Sequence, residues 1–317
     1  CIAIENEDSK GGAIYFYQIK GEIEELCTYN NFTYCQSKFS GGAIYVYCNE
    51  VENLEPDDTD SIFLVKIQNC VFVQCFSEIE GGAISSGEIE MYLIKGNNDM
   101  TIESCVFMNC ESCTGGALYF QDGNKEGDEK TLINGCDFND CYATGDRKEG
   151  YAIYCRSYLI HIENCGFRQH KRGSLVQTGC IVYIEMNEPD VKPEIKSLVF
   201  EESTGVSCLI VKSIEPTIVS NLTFNNIADG SPCIDLDQWY MQGSLTIEYS
   251  NFTNIFNSRC IKSTTETEIF ITTIDKCQFI NNSISKTSGN EYFNGCGSCI
   301  LCLHNDIDSS IEFLNCE

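Results

Sequence analysis

The chain has 317 residues, a net charge of −27 and a pI near 4.3. So acidic a chain repels nucleic acid and anionic lipid surfaces, and its longest basic cluster, His170-Lys171-Arg172, reads as a solvated corner. No apolar run approaches the length of a bilayer-crossing helix, so no membrane span is expected within this segment.

From the N-terminus, the first element read is the phrase Gly11-Gly12-Ala13-Ile14. It returns as Gly41-Gly42-Ala43-Ile44, Gly81-Gly82-Ala83-Ile84 and Gly115-Gly116-Ala117-Leu118. A Phe-x-x-Cys precedes each later copy, at Phe32, Phe72 and Phe107. Self-similarity at this period signals a repeat architecture, in which each repeat buries its apolar face by stacking on its neighbours. The Phe column continues through Phe138, Phe167, Phe200, Phe224, Phe252 and Phe279. Five residues before each Phe runs a second apolar column: Cys27, Ile67, Ile102, Ile133, Ile162, Ile195, Val219, Ile247 and Ile274. A third begins as Ala13, Ala43, Ala83, Ala117 and Ala152 and passes to Cys180, Cys208, Cys233, Cys260 and Cys299. Ala and Cys are both small and often fully buried, which fits an inward position of close approach.

Three apolar columns with local period-2 alternation predict three short strands per turn. The expected fold is all-β: a right-handed parallel β-helix of about ten coils, with three parallel sheets and insertions at its corners. It forms one domain over residues 1–317. The insertions are expected at Cys48–Asp60, Asp122–Glu129, Gly145–Gly150, Glu185–Pro193 and Ser283–Asn294, each rich in turn formers. Gly-Gly before the Ala column marks a corner that needs a positive φ or close backbone approach. Cys1 and Cys316 fall at the same phase of the repeat, so a segment of a longer protein is expected.

These motifs resemble the polymorphic outer-membrane proteins of chlamydiae, whose repeats carry Gly-Gly-Ala-Ile and Phe-x-x-Asn, and related repeat proteins of protist surfaces. The likeness is strict over residues 11–118. Here the Asn slot is mainly Cys, at Cys35, Cys75, Cys110 and Cys141; Asn282 and Asn6 keep the Asn. The resemblance implies a pectin-lyase-like β-helix, displayed at a surface and engaged in adhesion. It does not imply an enzyme.

The chain carries 22 cysteines. Two readings stand for the Cys-x-Phe-x-x-Cys pairs Cys70/Cys75, Cys105/Cys110 and Cys136/Cys141. They close local disulfides in an oxidising compartment, or they are free thiols buried in ladders. For the Ala-slot cysteines the ladder reading is favoured. Cys110/Cys113 and Cys296/Cys299/Cys302 have zinc-like spacing, but ladder membership and strand alternation work against convergence, so no metal is expected. Four Asn-x-Ser/Thr sequons, at Asn31, Asn221, Asn251 and Asn281, are glycosylation candidates. Asn31 and Asn251 each precede an inward Phe and should point outward.

β-Helices also house polysaccharide lyases and glycosidases, which need clustered carboxylates. Candidate acids are Asp57, Asp58 and Asp60 in the longest insertion, and Asp235 and Asp237 beside Trp239 and Tyr240. His161, His170 and His304 are isolated, and no cofactor is implied. The expected role is a non-catalytic structural or adhesive β-helix, extracellular or at the cell surface. Its partners would be other copies of itself or other surface proteins and glycans. A carbohydrate-active enzyme and a building block of an extracellular filament are the alternatives.

Overall fold

The computed structural model describes residues 2–3, 10–18, 23–48, 63–89, 98–122, 131–146, 149–156, 160–170, 179–186, 192–213, 216–228, 232–238, 243–265, 270–283, 300–304 and 310–316. Among them there is no helix, and the strands pair in parallel. The fold is an all-β parallel solenoid. Its contacts divide into two compact units, Cys1–Cys165 and Gly166–Glu317.

In the first unit, one sheet stacks Ile14–Gln18, Ile44–Cys48, Ile84–Ile89, Leu118–Asp122 and Ile153–Arg156. A second stacks Ile23–Thr28, Phe63–Gln68, Asn98–Glu103, Thr131–Asn134 and Ile160–Glu163. A third stacks the short Phe-centred strands Asn31–Thr33, Val71–Val73, Val106–Met108 and Asp137–Asn139. A fourth ladder was not expected: two-residue strands at Ile2–Ala3, Gln36–Ser37, Phe76–Ser77, Glu111–Ser112 and Tyr142–Ala143. These are too short to show an alternation of their own, which is why the sequence hides them.

Parallel register sets like on like. Cys27, Ile67, Ile102, Ile133 and Ile162 are successive partners. So are Phe32, Phe72, Phe107 and Phe138, whose rings stack 4.8 Å apart with planes within 8°. That separation equals the spacing of neighbouring strands, so the pairing itself delivers the aromatic stack. Ala43, Ala83, Ala117 and Ala152 are fully buried, and each of the first three donates its N–H to the carbonyl of the next. Ala13, at the edge of the stack, is exposed.

The Gly-Gly corner uses its two residues differently. Gly11, Gly41, Gly81 and Gly115 have φ between 57° and 64°, in the left-handed region. A Cβ on Gly12, Gly42, Gly82 or Gly116 would instead sit 2.0–2.2 Å from a carbonyl oxygen of the neighbouring winding. Each of these four Phe strands is also bracketed by two left-handed residues, such as Asn69 and Gln74 around Val71–Val73 and Ser104 and Asn109 around Val106–Met108. These corners cut the strands to three residues. At Gly135, φ is 62° but an added Cβ would meet only Ser104, its Oγ at 3.8 Å and its backbone N at 4.0 Å. Its neighbours in that column, Ser104 and Asn164, already carry side chains there. Gly135→Asn is therefore expected to change stability by less than about 1 kcal/mol in chemical denaturation.

The second unit repeats the plan. Cys180–Met186, Ser207–Ser213, Ile234–Gln238, Ile261–Thr265 and Ile300–His304 form one sheet. Glu194–Lys196, Thr217–Ser220, Gly243–Glu248, Phe270–Asp275 and Ser310–Leu314 form another, with Ile195, Val219, Ile247 and Ile274 in register. Phe167, Phe200, Phe224, Phe252 and Phe279 stack at 4.8–5.1 Å. The fourth ladder shrinks to the single bridges Thr204–Ala228, Ala228–Phe256 and Phe256–Ser283.

One expected alignment slips. Cys180 faces Ser207, not Cys208. Pairing the two cysteines would set Val182 against Ile210 and Ile184 against Lys212. The observed register pairs Val182 with Leu209 and Ile184 with Val211, all four fully buried. A one-residue shift turns a strand inside out, so the branched residues decide the register and the thiol follows. Cys299 lies outside the described residues, as does most of each expected insertion except Gly145–Gly150, of which only residues 147–148 do.

Candidate functional site

The cysteines two residues before Phe form one thiol column. Each Sγ donates to a carbonyl of the preceding winding: Cys70 to Cys27 (3.4 Å), Cys105 to Ile67 (3.5 Å), Cys136 to Ile102 (3.5 Å) and Cys165 to Ile133 (3.7 Å). In the second unit Cys277 bonds Ile247 (3.5 Å) and Cys316 bonds Ile274 (3.2 Å) in the same way. This places Cys316 in the slot of Cys277, as its spacing indicated. The cysteines three residues after Phe form a second column. Cys75 donates to Phe32 (3.5 Å), Cys110 to Phe72 (3.7 Å) and Cys141 to Phe107 (3.8 Å).

The disulfide reading of Cys70/Cys75, Cys105/Cys110 and Cys136/Cys141 is not what the structure holds: all six are buried free thiols. The two members of each pair stand at opposite ends of a three-residue strand and serve different columns. Contact between thiols runs across windings, as from Cys27 Sγ to Cys70 Sγ at 3.9 Å, well beyond the ~2.0 Å of an S–S bond.

Burial first, and then hydrogen bonding with Cys141, hold the Cys110 thiol well above its ordinary value; burial likewise pushes Cys277 up to about 11. In the folded state these two thiols thus keep protons that they lose in the unfolded chain near the ordinary thiol value of 9.0. The contribution is fully present below that value and falls as pH rises toward the folded value. Urea midpoints are expected to drop between about pH 8.5 and 10.5. An alkylating reagent at pH 8 should label the six thiols only after unfolding.

Other residues in these slots explain the motif. Asn282, in the slot of Cys75, donates Nδ2 to the Phe252 carbonyl at 2.9 Å, the counterpart of the bond from Cys75 to Phe32. Its Oδ1 accepts from the Ile255 N–H. Ser250, in the slot of Cys277, donates to Glu248 O at 2.9 Å. Phe-x-x-Asn and Phe-x-x-Cys are thus two ways of supplying one donor to the carbonyl of the Phe in the preceding winding.

The outward faces carry polar ladders. Gln68 Nε2 donates to Glu103 Oε2 (2.8 Å), Asn134 Nδ2 to Glu103 Oε1 (3.4 Å) and Asn164 Nδ2 to Asn134 Oδ1 (3.0 Å). In the second unit Asn281 donates to Asn254 Oδ1 (3.3 Å) and Asn254 to Asn226 Oδ1 (3.2 Å). Arg168 bridges Glu201 and Glu202, and exposed His170 also reaches Glu202. His161 is half-buried on an outward position between inward Ile160 and Ile162.

Of the acids singled out, Asp235 is paired with Lys262 of the next strand at 3.2 Å. Asp237 shares its strand, Ile234–Gln238. Asp57, Asp58, Asp60, Trp239 and Tyr240 lie outside the described residues, as do Cys296 and Cys299 of the zinc-like set. Cys110 belongs to its thiol column and Cys113 is half-exposed. Among the described residues there is no group of three or more potential metal ligands, and no helix long and apolar enough to cross a membrane.

The four sequons divide by position. Asn31 and Asn251 sit on Phe-centred strands, exposed and half-buried respectively. Asn221 and Asn281 occupy corners with φ of 54° and 55°, both exposed. The bracketing corners are what sequence reasoning missed. Their signal was present: Asn, Ser, Gly or Asp recurs three residues before and two after the Phe column. Set beside known proteins, the chain matches no family model, no curated protein and no solved structure. The geometry defines a class, a cysteine-rich parallel β-solenoid with polar outer ladders.

Proposed function

We propose that this chain is a non-catalytic structural or adhesive β-helix, displayed outside the cell or on its surface, that works through contacts with proteins or glycans. The carrying observation is how the side chains are spent. Inward residues are absorbed in Phe, Ile, Ala and thiol ladders, while outward residues form regular polar rows across successive windings. Such rows offer a repeated contact surface, as solenoid faces do. Kinship with the chlamydial-type surface repeats belongs to the same proposal. It is supported by the equivalence of Asn282 and Cys75, which reconciles the Cys-rich motif with the Asn form.

The enzyme reading draws less support. Asp235, the one candidate acid whose side chain is described, is committed to Lys262. Two measurements test the proposal. Antibodies to the folded chain should stain intact, unpermeabilised cells of its source. Purified protein incubated with a panel of acidic and neutral polysaccharides should release no reducing ends and no unsaturated products. Staining that requires permeabilisation, or turnover of any polysaccharide, defeats it.

A further inference from the structure

The geometry points to two sites, Tyr29-x-Asn31-Phe32-Thr33 and Tyr249-x-Asn251-Phe252-Thr253, as N-glycan acceptors in which the tyrosine seats the first N-acetylglucosamine on its ring. The inference deepens the exported reading above and rests on it for the native protein.

Both sites are built alike, one in each unit. Phe32 and Phe252 point inward and stack in the core. Asn31 and Asn251 therefore point outward, and neither amide has a hydrogen-bond partner among the described residues. The tyrosine two residues earlier is the corner residue, in the left-handed region at φ 56° and 50°. That conformation is unfavourable for a bulky side chain. Elsewhere the corner holds Asn69, Ser104, Gly135, Asn164, Ser197, Asn221, Lys276 or Asn315. Of the nine Phe-centred strands described, these two alone have tyrosine at the corner, and these two alone have Asn just before the Phe. The left-handed tyrosine and the acceptor Asn occur together.

The rings are also displayed. Tyr29 is 81% exposed and packs on no other described ring. Tyr249 is 48% exposed; Lys276 Nζ lies 4.6 Å from its centroid and donates to its hydroxyl, leaving the opposite ring face. Two residues of chain span at most about 7 Å, within reach of a sugar joined to the Asn. The axial C–H groups of a β-linked N-acetylglucosamine match the negative face of a tyrosine ring. The other two sequons lack this seat. Two residues before Asn221 and Asn281 stand Val219 and Phe279, both members of inward columns, and the Asn281 amide is committed to Asn254.

The test expresses the full chain behind a secretory leader in a eukaryotic cell and maps its glycopeptides. Asn31 and Asn251 should be occupied in most molecules. Trimming to a single N-acetylglucosamine should leave the melting temperature about 2–4 °C above that of the Asn31→Gln protein. Tyr29→Ala should abolish that increment. So should Tyr29→Asn, a residue the same corner accommodates elsewhere, with folding unharmed. An unoccupied Asn31, or an increment that survives both tyrosine substitutions, overturns the inference. Native protein bare at Asn31, alongside a leader-directed chain whose sugar is seated on Tyr29, would refute export and leave the ring–sugar pairing standing.

Discussion

Phe107→Ala should destabilise the first unit by about 3–5 kcal/mol, read as a lowered midpoint in chemical denaturation. Phe107 is fully buried and stacks at 4.8 Å on Phe72 and on Phe138, so the substitution empties the middle of an aromatic column. Parallel register prevents the neighbours from closing the gap, because their strands are pinned at the inter-strand distance. Phe279→Ala is the comparison. Phe279 is half-buried and stacks on Phe252, so its loss should cost no more than about half as much. Equal costs would show that the stack is not what holds the windings together.

Gly82→Ala is expected to be at least as damaging, at about 3 kcal/mol or more, although it adds one methyl group. The new Cβ would lie 2.1 Å from the Gly116 carbonyl oxygen and 2.6 Å from the Glu111 nitrogen. Both are backbone atoms of the next winding, and neither can rotate away. The windings would have to part locally, which breaks the Gly82 N–H bond to Gly115 O. Gly81→Ala should be comparably harmful for a different reason: its φ of 57° disfavours any side chain, and its Cβ would meet Ile84 O at 2.2 Å. Circular dichroism melts of Gly81→Ala, Gly82→Ala and Gly135→Asn should therefore rank the third far above the other two. If Gly82→Ala melts with Gly135→Asn, close approach of the windings is not what the second glycine provides.

Much of the fold was legible because its columns repeat. Phe72, Phe107 and Phe138 can be aligned by eye, and Ile67, Ile102 and Ile133 follow at a constant offset. The corners at Asn69 and Gln74 were harder to see, since a left-handed residue can be Asn, Ser, Gly, Tyr or Gln. The candidate sites were less legible still. The sequons were visible as strings. That Asn31 lies on an outward strand position beside an unpacked Tyr29, whereas Asn281 is tied into an amide ladder, depends on which way each residue faces.

By itself, then, the amino-acid sequence determined a stacked all-β repeat, the members of its Phe and Ile columns, and the need for glycine at its tightest corner. These are periodic properties, and a period survives in one dimension. Only the tertiary structure decided that the Cys-x-Phe-x-x-Cys thiols part into two ladders rather than joining in pairs, that Cys180 faces Ser207, and that Asn282 does the work of a cysteine. Each of those outcomes turns on which atom of a neighbouring winding lies within bonding distance, and that is set by register and corner geometry, not by the order of residues along the chain.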